Sequence, residues 1–160
     1  MSLHFILYEE EAQKIKGVCD TLLEDANAKV VFLVDMNGQI LSHAGDVDDM
    51  DTTSLASLTA GNVAATGGIA KLIKEKEFSQ IFHEGEKDHL HISVHGGRFI
   101  LVVIFDHRSS IGLVRLRVRQ STHQFQEILT SIDEKSQLAQ GEKTPFAEIT
   151  DEDIDNLFSL

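Results

Sequence analysis

The sequence predicts an α/β sandwich: one five-stranded, mostly antiparallel sheet with helices in the order α-β-β-α-β-β-β-α, plus a short C-terminal helix. Three observations predict it. Three well-separated segments carry apolar residues at helical spacing. Two turn signals, Asn37-Gly38 and Gly96-Gly97, each join a pair of β-rich runs. The run Phe99-Ile100-Leu101-Val102-Val103-Ile104-Phe105 is apolar throughout, as expected for a strand covered on both faces in the middle of a sheet.

Tyr8 to Ala26 is expected as the first helix, because Ala12, Ile15, Val18, Cys19, Leu22, Leu23 and Ala26 fit the i, i+3, i+4, i+7 template. Lys29 to Asp35 and Gln39 to Ala44 read as a hairpin around Asn37-Gly38, residues that tolerate positive φ. An acidic loop, Gly45 to Met50, leads to a second helix that any of Asp51, Thr52, Thr53 or Ser54 can cap and that runs to about Glu75. Three strands follow, over 80–84, 89–95 and 98–106. Ser109 or Ser110 caps a third helix to about Ser136, on which Ile111, Val114, Val118, Phe125, Ile128, Leu129 and Ile132 keep helical spacing. A polar stretch, Leu138 to Pro145, separates it from a tail helix capped by Thr150 with Asp153 at the box position.

A chain of 160 residues suits one domain with a single core. Its lone cysteine, Cys19, excludes an intramolecular disulfide and fits a reducing compartment. The N-terminal residues lack a basic n-region and a cleavage site, and no apolar run reaches the ~18 residues of a membrane span, so a cytoplasmic protein is expected. A formal net charge of −12 argues against nucleic acid and anionic membrane as partners. Five arginines and one acid, Asp106, lie between Arg98 and Arg119, whereas six acids and one lysine follow Gly141. Such a split points to contacts with other proteins.

The second helix stands out. From Thr52 to Ala70 no residue is charged, over roughly 28 Å of helix at ~1.5 Å per residue. At ~100° per residue it divides into three sides. Leu55, Leu58, Asn62, Ala65, Ile69, Leu72 and Ile73 form the side expected against the sheet, because large apolar residues belong inside. Ser57, Ala60, Gly61, Ala64 and Gly68 form a smooth side, and Ala56, Thr59, Val63, Thr66, Gly67 and Ala70 a third one of small residues. Glycines inside a helix cost roughly 1 kcal/mol each relative to alanine, a cost that close approach of another backbone offsets. A small two-layer domain covers one side of such a helix, so a contact with another molecule is expected. The residues leave open which flank meets a second copy and which a different partner.

Other chemistry is weakly signalled. His89, His91 and His95 share one face of a strand, and histidines at i and i+2 can share a metal, but no carboxylate or cysteine completes the set. Neither Gly67-Gly68 nor Gly96-Gly97 matches a phosphate-binding loop, and no nucleophile elbow is present. Cys19 sits on an apolar stripe and is expected in the core. The acidic tail carries Ile154, Leu157 and Phe158 at i, i+3 and i+4; too short to be a stable helix alone, it suits a groove on a partner.

The segment Asp51 to Ala65, the strand Phe99 to Phe105 and the following Gly112 to Arg117 resemble the roadblock/LC7 superfamily, and within it the MglB-type regulators of bacterial polarity. The likeness extends to Tyr8-Glu9-Glu10-Glu11 and to the tail, 145–149 and 153–158. It implies a roadblock/LC7 sandwich over 1–137, a linker over 138–148 and a C-terminal interaction helix over 149–160. It implies a homodimer joined through the third strand, Gln80 to Glu84, with the second helices side by side. It further implies a GTPase activator without an active site or cofactor of its own, for a Ras-like GTPase of the MglA type that holds the GTP and Mg. Such regulators serve gliding motility, and the resemblance adds the cell pole to the expected locations. Activation would come from positioning the GTPase's residues, without an arginine finger; Arg98 and Arg108 are the loop arginines placed for one. GTPase docking is expected at Ser57, Ala60, Gly61, Ala64 and Gly68, with Ile154, Leu157 and Phe158 as a second contact that favours nucleotide exchange. The competing readings are a scaffold of the same fold that leaves hydrolysis unchanged, and a metal-dependent protein using the histidines.

Overall fold

The structure is a computed structural model and describes residues 8–142 and 156–158. Its elements are α1 (Glu9–Asp25), β1 (Val30–Asp35), β2 (Ile40–Gly45), α2 (Thr52–Leu72), β3 (Gln80–Glu84), β4 (His89–His95), β5 (Phe99–Phe105) and α3 (Ile111–Glu142). This is the expected order. The five strands form one sheet, β2-β1-β5-β4-β3, in which every neighbouring pair is antiparallel. β5 is central, and all seven of its residues are buried, which accounts for its unbroken apolar run.

Register sorts side chains onto the two faces. Phe32, Val102, Ile92 and Ile81 stand in one row across β1, β5, β4 and β3 and face the α2 side. The adjacent row, Val31, Val103, His91 and Phe82, faces the side of α1 and α3. On that side Ile15, Cys19, Leu22, Val118, Phe125, Leu129 and Ile132 close a large core. Glu11 fastens the two helices there: its Oε1 takes Ser131 Oγ at 2.8 Å and pairs with Lys135 Nζ at 2.8 Å, and the bond from Lys135 holds the carboxyl below its ordinary range.

Helix ends differ in how visible they are in the sequence. Asp51, among the four expected caps, starts α2: its carboxylate accepts from Ser54 N (3.1 Å) and Ser54 Oγ (2.6 Å), bonds that also lower its pKa. Ser110 Oγ caps α3 by accepting from Leu113 N, while Ser109 Oγ donates to Ala26 O at the end of α1. α2 stops at Leu72, short of Glu75. Lys74 turns to φ 63°, and the bonds Lys74 N to Lys71 O and Glu75 N to Ala70 O make a Schellman motif without glycine. Asn27, at φ 49°, ends α1 in the same way. At its other limit α3 runs to Glu142, so the first residues of the expected linker, 138–142, are helical.

Candidate functional site

α2 lies on the sheet by its small residues. Ala56, Thr59 and Ala70 are buried and Val63, Thr66 and Gly67 half-buried. Leu58 is 72% exposed, Ile69 54% and Leu72 85%; Ile73 is also exposed. This corrects the expectation that Leu55, Leu58, Asn62, Ala65, Ile69, Leu72 and Ile73 form the core face. Only Leu55 and Asn62 of that side are even half-buried. The physical reason is spacing: short side chains underneath let the helix axis sit close over Phe32, Val34, Ile100 and Val102, and longer ones are turned outward.

The hairpin tip locks this arrangement. Gly38 has φ +85°, and a Cβ there would stand 3.0 Å from Ser57 Cα and 3.5 Å from Ala60 Cβ, so the turn rests directly on the first part of α2. Asp35 holds the turn, its carboxylate accepting from Asn37 N (2.9 Å) and Gln39 N (3.0 Å). The smooth flank continues from this contact. Ser57, Gly61, Ala64 and Gly68 are exposed and Ala60 is half-buried; nothing stands within 4 Å of a Cβ placed at Gly61 or Gly68. The five docking residues expected from sequence therefore share one open face of the helix, next to the hairpin.

The sheet ends in an open edge. Among the described residues β3 pairs only with β4, its residues are mostly exposed, and Phe82 is 37% exposed while stacking on Phe105 at 6.1 Å. An unpaired edge of this kind offers backbone N–H and C=O groups to another chain. Leu157 and Phe158 in the tail are helical and exposed; Ile154 lies outside the described residues.

The remaining candidates are spoken for within the domain. Arg98 pairs with Asp133, and Arg108 Nε with Asp106 at 3.1 Å. The Arg108 guanidinium holds the Asp106 carboxyl down at about 2. His89 Nδ1 accepts from Gly85 N, His95 Nε2 lies 2.9 Å from Ser93 Oγ, and His91 Nε2 3.4 Å from Gln80 Oε1. Burial, with Arg115 and His95 adding repulsion, pushes His91 down to about 4; burial lowers His95 as well. His91 and His95 are interior packing groups, His95 against Phe125 of α3, while His89 is half-buried beside Phe82 and Phe105. Among the described residues no group of three or more His, Cys, Asp or Glu is placed to hold a metal. Burial pushes the Cys19 thiol up to about 12, which leaves it inert at neutral pH. No helix among the described residues is long and apolar enough to cross a membrane.

Residues 14–105 match the roadblock/LC7 domain model, more than half of the chain. The chain belongs to the roadblock/LC7 family. Among solved roadblock/LC7 structures it is similar to Myxococcus xanthus MglB, with 60% sequence identity and a TM-score of 0.75 over 79% of this chain and 96% of that one. It is also similar to the gliding protein MglB from Thermus thermophilus, at 28% identity and a TM-score of 0.74 over 80% of this chain and 97% of that one. A third similar structure is an MglB with a tetrameric arrangement, at 27% identity and a TM-score of 0.76 over 82% of this chain and 99% of that one. No curated protein matches the chain.

What the sequence reading missed in this site is the outward turn of Leu58, Ile69 and Leu72. The signal was available: 55, 58, 62, 65, 69 and 72 alternate steps of three and four, the narrow stripe of a helix–helix seam, not the broader face of a helix lying on a sheet.

Proposed function

We propose that this roadblock/LC7 protein is a homodimeric GTPase activator for a bacterial Ras-like GTPase of the MglA type, in a cytoplasmic polarity and motility system. The observation that carries the reading is the open, charge-free flank Ser57, Ala60, Gly61, Ala64 and Gly68 in a chain 60% identical to Myxococcus xanthus MglB. Two copies join at the β3 edges, which sets their α2 helices side by side as one platform. The GTP and Mg belong to the GTPase; this chain brings no cofactor and no active site.

The flank offers no acid, base or nucleophile, so its means of action is selection of a conformer. A platform that binds the hydrolysis-ready GTPase more tightly raises that population by the ratio of the two affinities. Arg98 and Arg108 are held by Asp133 and Asp106, which favours activation without an inserted finger. The tail, with Ile154, Leu157 and Phe158, makes a second contact on the GTPase and favours nucleotide exchange.

Phosphate release from a GTP-loaded MglA-type GTPase tests this. The protein should raise turnover at least tenfold, about 1.4 kcal/mol of barrier. Ala64→Arg or Gly68→Arg should remove the stimulation while shifting stability by no more than about 0.5 kcal/mol, because both sites are exposed. Binding without faster hydrolysis would instead support the scaffold reading, and stimulation that survives Ala64→Arg would overturn the docking face.

A further inference from the structure

We propose that Glu11, Lys135, Arg98 and Asp133 form a collar that grips α3 where its core ends, and so positions the start of the C-terminal tail. The inference rests on the tail contact proposed above and adds the residues that aim it. Up to Ile132, α3 is held by burial: Val114, Val118, Phe125, Ile128, Leu129 and Ile132 are all inside. Past that point no residue from 133 to 139 is buried, and Leu138 is 69% exposed. Yet from 133 to 142 the helix runs on for roughly 15 Å at ~1.5 Å per residue. A helix this short is marginal without outside support.

The support is polar and comes from two sides. On the α1 side, Lys135 Nζ lies 2.8 Å from Glu11 Oε1, 2.9 Å from Glu10 Oε2 and 5.6 Å from the centre of the Tyr8 ring. Ser131 Oγ donates to the same Glu11 oxygen at 2.8 Å. On the sheet side, Asp133 pairs with Arg98 in the turn between β4 and β5. Contacts at 131, 133 and 135 thus tie one stretch of α3 both to the first turn of α1 and to the end of the sheet.

Stability does not explain this choice of residues. The Arg98–Asp133 and Glu10–Lys135 pairs are partly exposed, and such pairs contribute little. Glu11 is fully buried, and its Oε2 has no hydrogen-bond partner. A buried pair of this kind can commonly be replaced by apolar residues without loss. What an ion pair adds over an apolar contact is direction, since Lys135 is held at one height and one rotation of the helix. The tail contact profits from that. Without the collar, the chain leading to Ile154 starts at Ile132 instead of Glu142, and its length grows from 12 residues to 22. The effective concentration of a tethered contact falls as about the 3/2 power of tether length, roughly two- to threefold here.

The test uses the full chain with Glu11→Leu and Lys135→Met made together, which fills the site with an apolar pair. Amide hydrogen exchange in 136–142 should speed at least tenfold, while protection over 111–132 stays as in the parent. Asp133→Ala, which opens the exposed side of the collar and leaves the core intact, should act in the same sense with a smaller factor. Nucleotide exchange on a GDP-loaded MglA-type GTPase should be stimulated two- to threefold less, with stimulation of hydrolysis unchanged. Unchanged protection over 136–142, or an equal loss along all of α3, would overturn the collar. Lost protection with nucleotide exchange stimulated as before would overturn its link to the tail. If the parent chain speeds no nucleotide exchange, the tail contact proposed above fails, and a loss of protection confined to 136–142 still supports the collar.

Discussion

On the α1/α3 face of the sheet, large side chains point inward and, apart from the buried Glu11 paired with Lys135, charges such as Lys14, Lys16 and Glu127 point out, while Phe125, Ile15 and Leu22 are buried. On the α2 face the sorting is different. Alanine, threonine and glycine lie against the sheet, leucine and isoleucine face outward, and no charge appears from Thr52 to Ala70. The first face completes a domain by itself. The second is a layer whose large side chains Leu58, Ile69 and Leu72 stay exposed, and the absence of charge on α2 does not by itself say which of its sides lies on the sheet. What distinguishes them is which residues sit beneath the helix.

Substitutions should separate the faces cleanly. Phe125→Ala, which empties a fully buried site against Phe99 and His95, should lower unfolding free energy by about 3–5 kcal/mol, read from the denaturation midpoint. Acid should act through the same face. His91 and His95 have folded pKa values below the ordinary 6.5, His91 at about 4, so the unfolded chain binds more protons between those limits. Stability is full above about pH 6.5 and falls toward pH 4. His91→Gln should flatten the stability profile in that window; an unchanged slope would mean that His91 is not the group being protonated. Below it the lowered carboxyls of Glu11 and Asp106 take over in the same sense, since protonating them loses their partners.

Gly38→Ala tests the opposite layer. The added methyl meets the α2 backbone and φ +85° is unfavourable for alanine, so about 1–2 kcal/mol should be lost, and GTPase stimulation should fall as the hairpin moves off the proposed docking flank. If stimulation is untouched, the hairpin does not help to set that flank. The smallest effect expected is a gain: Lys74→Gly relieves a left-handed lysine and should stabilise by about 0.5–1 kcal/mol in the same assay.

Much of this was legible in the residues. The strand order could not be read, but the strands could: Asn37-Gly38, Gly96-Gly97 and the apolar run of β5 each had a local physical cause. That Ser57, Ala60, Gly61, Ala64 and Gly68 share one side of α2 was legible because charge-free glycine and alanine at one angle need little tertiary context. The end of α1 came within a residue of the expected Ala26, but the end of α2 before Lys74 was not legible, since a left-handed lysine leaves no compositional mark. The orientation of α2 was misread for a different reason. Size predicts burial within one chain, and Leu58 and Leu72 obey that rule only if a second molecule counts as part of the inside.

The missing charge on α2 also bears on rates of encounter. Attractive fields speed association, and an uncharged helix on a chain of net −12 has none to offer a copy of itself. Two copies that pair as proposed therefore meet against a long-range repulsion that falls away over a Debye length of about 10 Å at 0.1 M salt. Their pairing should quicken as salt is added, the reverse of an interface steered by opposite charges.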